Sequence, residues 1–353
     1  MMCLIFFTAC PSFIYPERKY PVGLFPDSIC NLSEVNSPYD DINMDLMQVF
    51  CNNYLVFSSN RNTNGNTYDL IYSQISFAWD QVDGEFFVSQ EAYGIDAFLK
   101  KMAWASQTDG NEFGPLFFSM QVNPQQGYSY EKYYLFYSDD KDGSQDVRFF
   151  EFDRKYDSQL TATFADSLKK EKKTVAFLSN PGFNEGYISF MSNEYPPSRP
   201  EANKYYDNTS FEKIIYCSDS LGQYDIYSID ISKNTELDSF LLQKNHIEKV
   251  NLQTLNSEWN DRCPNVNRNF IVFSSDRPGG LGGFDFYYSI YENGQWSQPV
   301  NFGSPINSPY DEFRAVAVKA SGFENDLLLF SSNRPGGKGG FDIFYTGIKM
   351  MPE

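Results

Sequence analysis

Histidine is all but missing: His246 is the single one in 353 residues, and it sits in Gln243-Lys-Asn-His-Ile-Glu with no Gly-x-Ser-x-Gly elbow in the chain. A Ser-His-Asp hydrolase therefore finds no support. Zinc is disfavoured on the same ground, because the six cysteines form no Cys-x-x-Cys pair and have no histidines to join them. No metal or cofactor is expected. Basic residues are scarce as well. Lysine and arginine total 28 against 46 aspartates and glutamates, a formal charge of −18, so nucleic acid would be repelled and is not an expected partner. The basic cluster Lys169-Lys-Glu-Lys-Lys173 reads as a solvated turn. No stretch of 18 or more apolar residues exists, so no membrane-spanning helix is expected. Long runs of Leu, Ala, Glu and Lys are missing too. In their place 33 Phe, 25 Tyr and 4 Trp make up 18% of the chain, in short runs beside Ser, Asn, Asp and Gly, which is strand-and-turn usage.

The first ten residues, Met-Met-Cys-Leu-Ile-Phe-Phe-Thr-Ala-Cys, resemble a bacterial lipoprotein signal with Cys10 as the lipidated residue, although the apolar run is short and no basic segment precedes it. Residues 1–20 are therefore expected to be signal and tether, attached to a membrane by lipid, and residues 21–353 a single domain. Cys30 with Cys51, and Cys217 with Cys263, are candidate disulfides. Each is equally explained as a small buried apolar residue.

The chain repeats itself. Leu328-Leu-Leu-Phe-Ser-Ser-Asn-Arg-Pro-Gly-Gly-Lys-Gly-Gly-Phe-Asp-Ile-Phe-Tyr345 nearly duplicates the segment from Ile271 to Tyr288, and degraded copies begin at Leu55, Tyr134 and Ile214. Each unit has an apolar-aromatic strand, a polar turn opening on Ser-Asx, glycines for positive φ, and an Asp that starts a second aromatic strand, so each reads as a hairpin. Strand-like pieces flank every hairpin, as in Asp311–Val318 before one and Gln295–Phe302 after another. Four strands per repeat of about 55–80 residues is the pattern of a propeller blade.

Five units predict an all-β propeller of five four-stranded blades. Six is the alternative, because residues 73–130 have room for a degenerate blade or for a helical insertion around Ala92–Trp104. The last unit lacks its outer strand. The N-terminus can supply it, since residues 21–40 match residues 299–311 in character and both end Asn-Ser-Pro-Tyr-Asp; such closure leaves no raw sheet edge.

The phrase Phe-Ser-Ser-Asn-Arg-Pro-Gly-Gly-x-Gly-Gly-Phe-Asp resembles the TolB-type, WD-like propeller repeat, in the variant found in envelope proteins of Bacteroidota, where an OmpA-like domain often follows. The resemblance is strong over residues 250–348 and weak over 73–210. It implies an envelope location, as an outer-membrane lipoprotein facing the periplasm or the exterior, with other envelope proteins as partners.

Two sets of residues repeat with the blades. Arg61, Arg277 and Arg334 stand in the hairpin turns and are expected to clasp a carbonyl or Asp69, Asp285 and Asp342, which open the next strand; the functional alternative is a ring of arginines that binds an anionic group. Asp40, Asp41, Glu112, Glu185, Glu258, Asp261, Asp311 and Glu312 stand at the start of each innermost strand, as candidate residues of the channel mouth. Asp139-Asp-Lys-Asp-Gly-Ser-Gln-Asp146 resembles part of a calcium loop, but lacks the first and last ligands and reads as an acidic turn. With no catalytic constellation evident, the expectation is a non-enzymatic interaction or scaffold module. The alternative is a carbohydrate-binding or glycoside-hydrolysing propeller that uses mouth carboxylates and aromatics.

Overall fold

The computed structural model describes residues 17–49, 52–90, 97–122, 130–154, 171–192, 205–207, 211–232, 235–320 and 322–349. Five antiparallel sheets follow one another along the chain. Blade 1 comprises Asp41–Val49, Asn52–Ser59, Asp69–Asp80 and Glu85–Gln90. Blade 2 comprises Glu112–Val122, Tyr130–Asp139, Asp146–Arg154 and Lys173–Thr174, with Tyr205–Asp207 added parallel to its innermost strand. Glu185–Ser192, Phe211–Ser218, Asp225–Asp230 and Val250–Asn251 form blade 3. Asp261–Asn267, Phe270–Ser275, Asp285–Glu292 and Val300–Asn301 form blade 4. The innermost strands pack each against the next, and Glu312–Val318 of blade 5 returns to Asp41–Val49 of blade 1. The ring is a five-bladed β-propeller. The segment that left room for a sixth blade holds the α-helix Ala97–Ser106 instead.

Blade 5 is closed as expected. Glu312–Val318, Asp326–Ser332 and Asp342–Ile348 are joined by Cys30–Asn31, which pairs antiparallel with Tyr345 and Phe344. Phe25 stacks on Phe323 with ring centroids 4.0 Å apart, and Asn325 brackets Phe25, accepting from its N–H at 2.8 Å and donating to its carbonyl at 3.0 Å.

Unbroken apolar runs such as Leu327-Leu-Leu-Phe330 follow from burial on both faces. Successive side chains of a strand point to opposite sides. Leu327 and Leu329 enter the cluster between blades 5 and 1, while Leu328 and Phe330 enter the one between blades 4 and 5. Each neighbouring pair of blades shares such a cluster. None of the described helices is long and apolar enough to cross a membrane.

Candidate functional site

The two repeated sets of the sequence meet each other, which corrects the expected pairing. Arg61, Arg277 and Arg334 do not clasp Asp69, Asp285 and Asp342; they reach the acids that start the innermost strands. Arg61 pairs with Asp41, Arg277 with Asp261 at 2.5 Å, and Arg334 with Glu312 at 2.8 Å. Each arginine Nε also donates to the second Ser of its own motif (Ser59, Ser275, Ser332) at 2.9–3.1 Å. Each Nη2 further donates to a carbonyl of the preceding linker, that of Val35, Leu255 or Ile306. Asp285 and Asp342 instead accept backbone N–H groups of their glycine turns, from Leu281 and Gly282 and from Lys338 and Gly339. Asp69 is buried and its carboxyl is pushed up by that burial.

The linker motif Asn-Ser-x-aromatic-Asx has an equally local logic. Asn36, Asn256 and Asn307 each bracket one residue of the preceding blade, holding both N–H and C=O of Ile343, Ile226 and Phe286 at 2.7–3.0 Å. The serine that follows caps the clasped acid, as Ser257 does Asp261 and Ser308 does Glu312. Glu258 occupies the variable position held elsewhere by Pro38 and Pro309, is exposed, and belongs to no cluster.

The Asx that ends the motif is a latch between blades. Asp40, Asn111, Asn184, Asn260 and Asp311 each accept, through Oδ1, the N–H of the residue before the Asx-opened strand of the preceding blade: Phe341, Tyr68, Gln145, Tyr224 and Phe284. Each also pairs with the Asx of its own hairpin, and every pair contains one Asp and one Asn: Asp40 with Asn60, Asn111 with Asp140, Asn184 with Asp219, Asn260 with Asp276, Asp311 with Asn333. One amide and one carboxylate supply a donor for every acceptor.

Glu112 breaks the clasp pattern. Glu185 has Lys249 at 2.6 Å, but Glu112 has only the Thr108 N–H and hydroxyl, both on Oε1, and its buried Oε2 has no partner. Burial pushes its carboxyl up to about 8, with Asp69 and Asp139 adding to the shift and the Thr108 donors opposing it. It therefore holds its proton at neutral pH.

The axis is shaped by a bulge in every innermost strand. Pairing breaks after Ile42, Phe113, Gly186, Arg262 and Phe313, and the next residue takes positive φ: Asn43 (55°), Gly114 (57°), Tyr187 (55°), Cys263 (56°) and Arg314 (48°). A bulge re-aims a side chain, and here it aims them at one another. Asn43 Nδ2 donates to the Tyr187 hydroxyl at 3.3 Å. Arg314, fully buried, donates to the carbonyls of Pro264 at 3.0 Å and Pro115 at 3.3 Å. Two of them, Asn43 to Tyr187 and Arg314 to Pro115, link blades that are not neighbours, so they lie on the axis and plug it. Beside the plug the residues before three of the bulges pack against aromatics of the preceding blade, and this ring is the candidate mouth. Phe113 lies 5.2 Å from Tyr68, Phe313 meets Phe284 edge-on at 5.3 Å, and the Arg262 guanidinium lies 4.1 Å above the Tyr224 ring. All six are half-buried. Sequence reasoning placed the mouth at the acids and missed this ring, although an aromatic stands before the Asp of four hairpins.

Other expectations resolve as follows. Cys217 and Cys263 are buried free thiols, not a disulfide, and burial pushes Cys217 up to about 12. Cys30 is also free, while Cys51 and Cys10 lie outside the described residues. The acidic turn Asp139–Asp146 is gathered by Arg148, which lies 3.3 Å from Asp139, 2.9 Å from Asp142 and 3.1 Å from Asp146.

No family model and no curated protein matches the chain. Solved structures match in fold: a GH62 hydrolase in complex with xylotriose (TM-score 0.50, 10% identity, 94% of this chain and 98% of that one), and the GH62 α-L-arabinofuranosidase catalytic domain of Coprinopsis cinerea (TM-score 0.45, 12% identity, 93% and 98%). A glycosyl hydrolase from Bacteroides ovatus also matches (TM-score 0.42, 9% identity, 98% and 98%). The non-enzymatic scaffold expected from the repeat is therefore corrected. The chain's architecture is shared with glycoside hydrolases, and neither "not an enzyme" nor "scaffold of an envelope assembly" stands as its description.

Proposed function

We propose that this protein is a carbohydrate-active propeller that binds a saccharide across the aromatic mouth. The observation that supports this most is the half-buried ring of Tyr68, Phe113, Tyr224, Phe284 and Phe313 around a plugged axis. Half-buried aromatic rings beside a few polar groups suit a small ligand, and ring faces suit the apolar C–H face of a sugar. For hydrolysis the acid must carry a proton and lose it to the leaving oxygen. Asp41, Glu185, Asp261 and Glu312 are committed to cation clasps; Glu112, fully buried, without a cation and raised to about 8, is the one carboxyl of that set that holds a proton to give. The envelope location, with a lipid on Cys10, and the TolB-type character of the repeat belong to the same proposal and rest on the sequence alone.

The test is a polysaccharide panel read for both binding and release of reducing ends. Retention of a glycan by the wild type, lost in Phe113→Ala, supports the mouth; hydrolysis lost in Glu112→Gln with binding kept supports the acid. A folded protein that neither retains nor cleaves any glycan overturns the reading.

A further inference from the structure

Resting on that reading, we infer that the saccharide is acidic and that its carboxylate is received by Arg262 at the mouth. Arg61, Arg148, Arg277 and Arg334 each have a carboxylate within 4 Å. Arg262 forms no ion pair with any described residue, and its Nε has no partner. It is held by rings instead, its guanidinium lying 4.1 Å from the Tyr224 centroid, 5.0 Å from Phe313 and 5.7 Å from Tyr187. This stacking holds the fork against the rings without a carboxylate and leaves Nε unpartnered, and a planar fork matches a carboxylate bidentately.

Two further observations point the same way. The equivalent positions of the other blades hold Ile42, Phe113, Gly186 and Phe313, so the fold does not require a cation there. Directly beneath, Arg314 is satisfied only by two carbonyls, with its own Nε unpartnered and Tyr187 shared between both guanidinium groups at 5.7 and 5.8 Å. Two arginines without counter-ions thus stand together on the axis of a chain whose formal charge is −18. Half-desolvated positive charge in a low-dielectric mouth is stabilised by an anion, and far less by a neutral sugar.

The test is an array pairing galacturonate, glucuronate and mannuronate oligosaccharides with their carboxyl-reduced counterparts, probed with the full chain and with Arg262→Met. The expected result is at least tenfold preference for the acidic member of one pair, lost in the variant. Equal binding of acid and neutral members, or a preference untouched by Arg262→Met, overturns the acidic assignment and leaves the saccharide reading intact. Failure of every member of every pair to bind overturns the acidic assignment, and the polysaccharide panel then decides the saccharide reading. Should Arg262→Met not fold, the wild-type comparison within each pair still decides.

Discussion

Asn333 Nδ2 lies 3.1 Å from Asp311 Oδ2, and in blades 2, 3 and 4 the same pair stands with its identities exchanged, as Asn111 and Asp140, Asn184 and Asp219, Asn260 and Asp276. The clasp needs one carboxylate and one amide but is indifferent to which strand carries which.

That indifference is testable in blade 5. Asn333→Asp sets two carboxylates against each other and is expected to cost about 2 kcal/mol from charge repulsion and a lost donor. Adding Asp311→Asn restores the polarity of the other blades and should return most of that loss. Urea unfolding of the two single variants and the double variant gives the coupling; simple additivity would refute the exchange.

Arg277→Ala removes the cation from a fully buried Asp261. Stripping one partner from a buried pair costs about 3 kcal/mol or more, and a loss below 1 kcal/mol in urea unfolding would show that the clasp is dispensable. Arg277→Lys should recover only part, since lysine cannot serve Asp261, Ser275 and the Leu255 carbonyl together.

Glu112 makes stability depend on pH with a definite sign. Its folded value, about 8, lies above the ordinary glutamate value of 4.5, so between the two the folded state binds more protons and stability falls as pH rises. Stability contributed by the protonated form is complete below about 4.5 and lost as pH passes through 8. The loss is on the order of a few kcal/mol. Glu112→Gln should flatten this stretch of the profile and be more stable than the wild type at pH 8, as read by chemical unfolding at pH 5 and pH 8.

Asn36→Ala leaves the N–H and C=O of Ile343 without the side chain that holds both. The buried N–H loses its partner while the carbonyl keeps the Leu32 N–H at 2.9 Å, for about 1–2 kcal/mol. Amide exchange at Ile343 should accelerate before that of the blade 4 strand Phe270–Ser275, where protection is independent of Asn36.

The fold was legible because its repeats differ little where geometry is strict. The hairpin phrase marked five blades, and the shared Asn-Ser-Pro-Tyr-Asp of residues 36–40 and 307–311 revealed the closing strand. Partners were not legible. Arg277 stands eight residues from Asp285 and sixteen from Asp261 in sequence, and only the turn, which spends Asp285 on its own N–H groups, decides between them. The mouth was hidden for a similar reason: that Phe113, Arg262 and Phe313 face it depends on a bulge whose third residue is Gly, Cys or Arg, with no residue type in common to announce it.

The closing strand also sets an order of events. Cys30–Asn31 is made before blade 1, but its partner Asp342–Ile348 only after blades 1 to 4. That strand must therefore wait, unpaired, while four blades are translated, and the ring cannot shut until blade 5 is made. Non-local closure of this kind is slow and leaves sheet edges open in the interval. A cell making this protein must keep its first strand from finding another chain's last blade, for the surface that completes one molecule equally completes its neighbour.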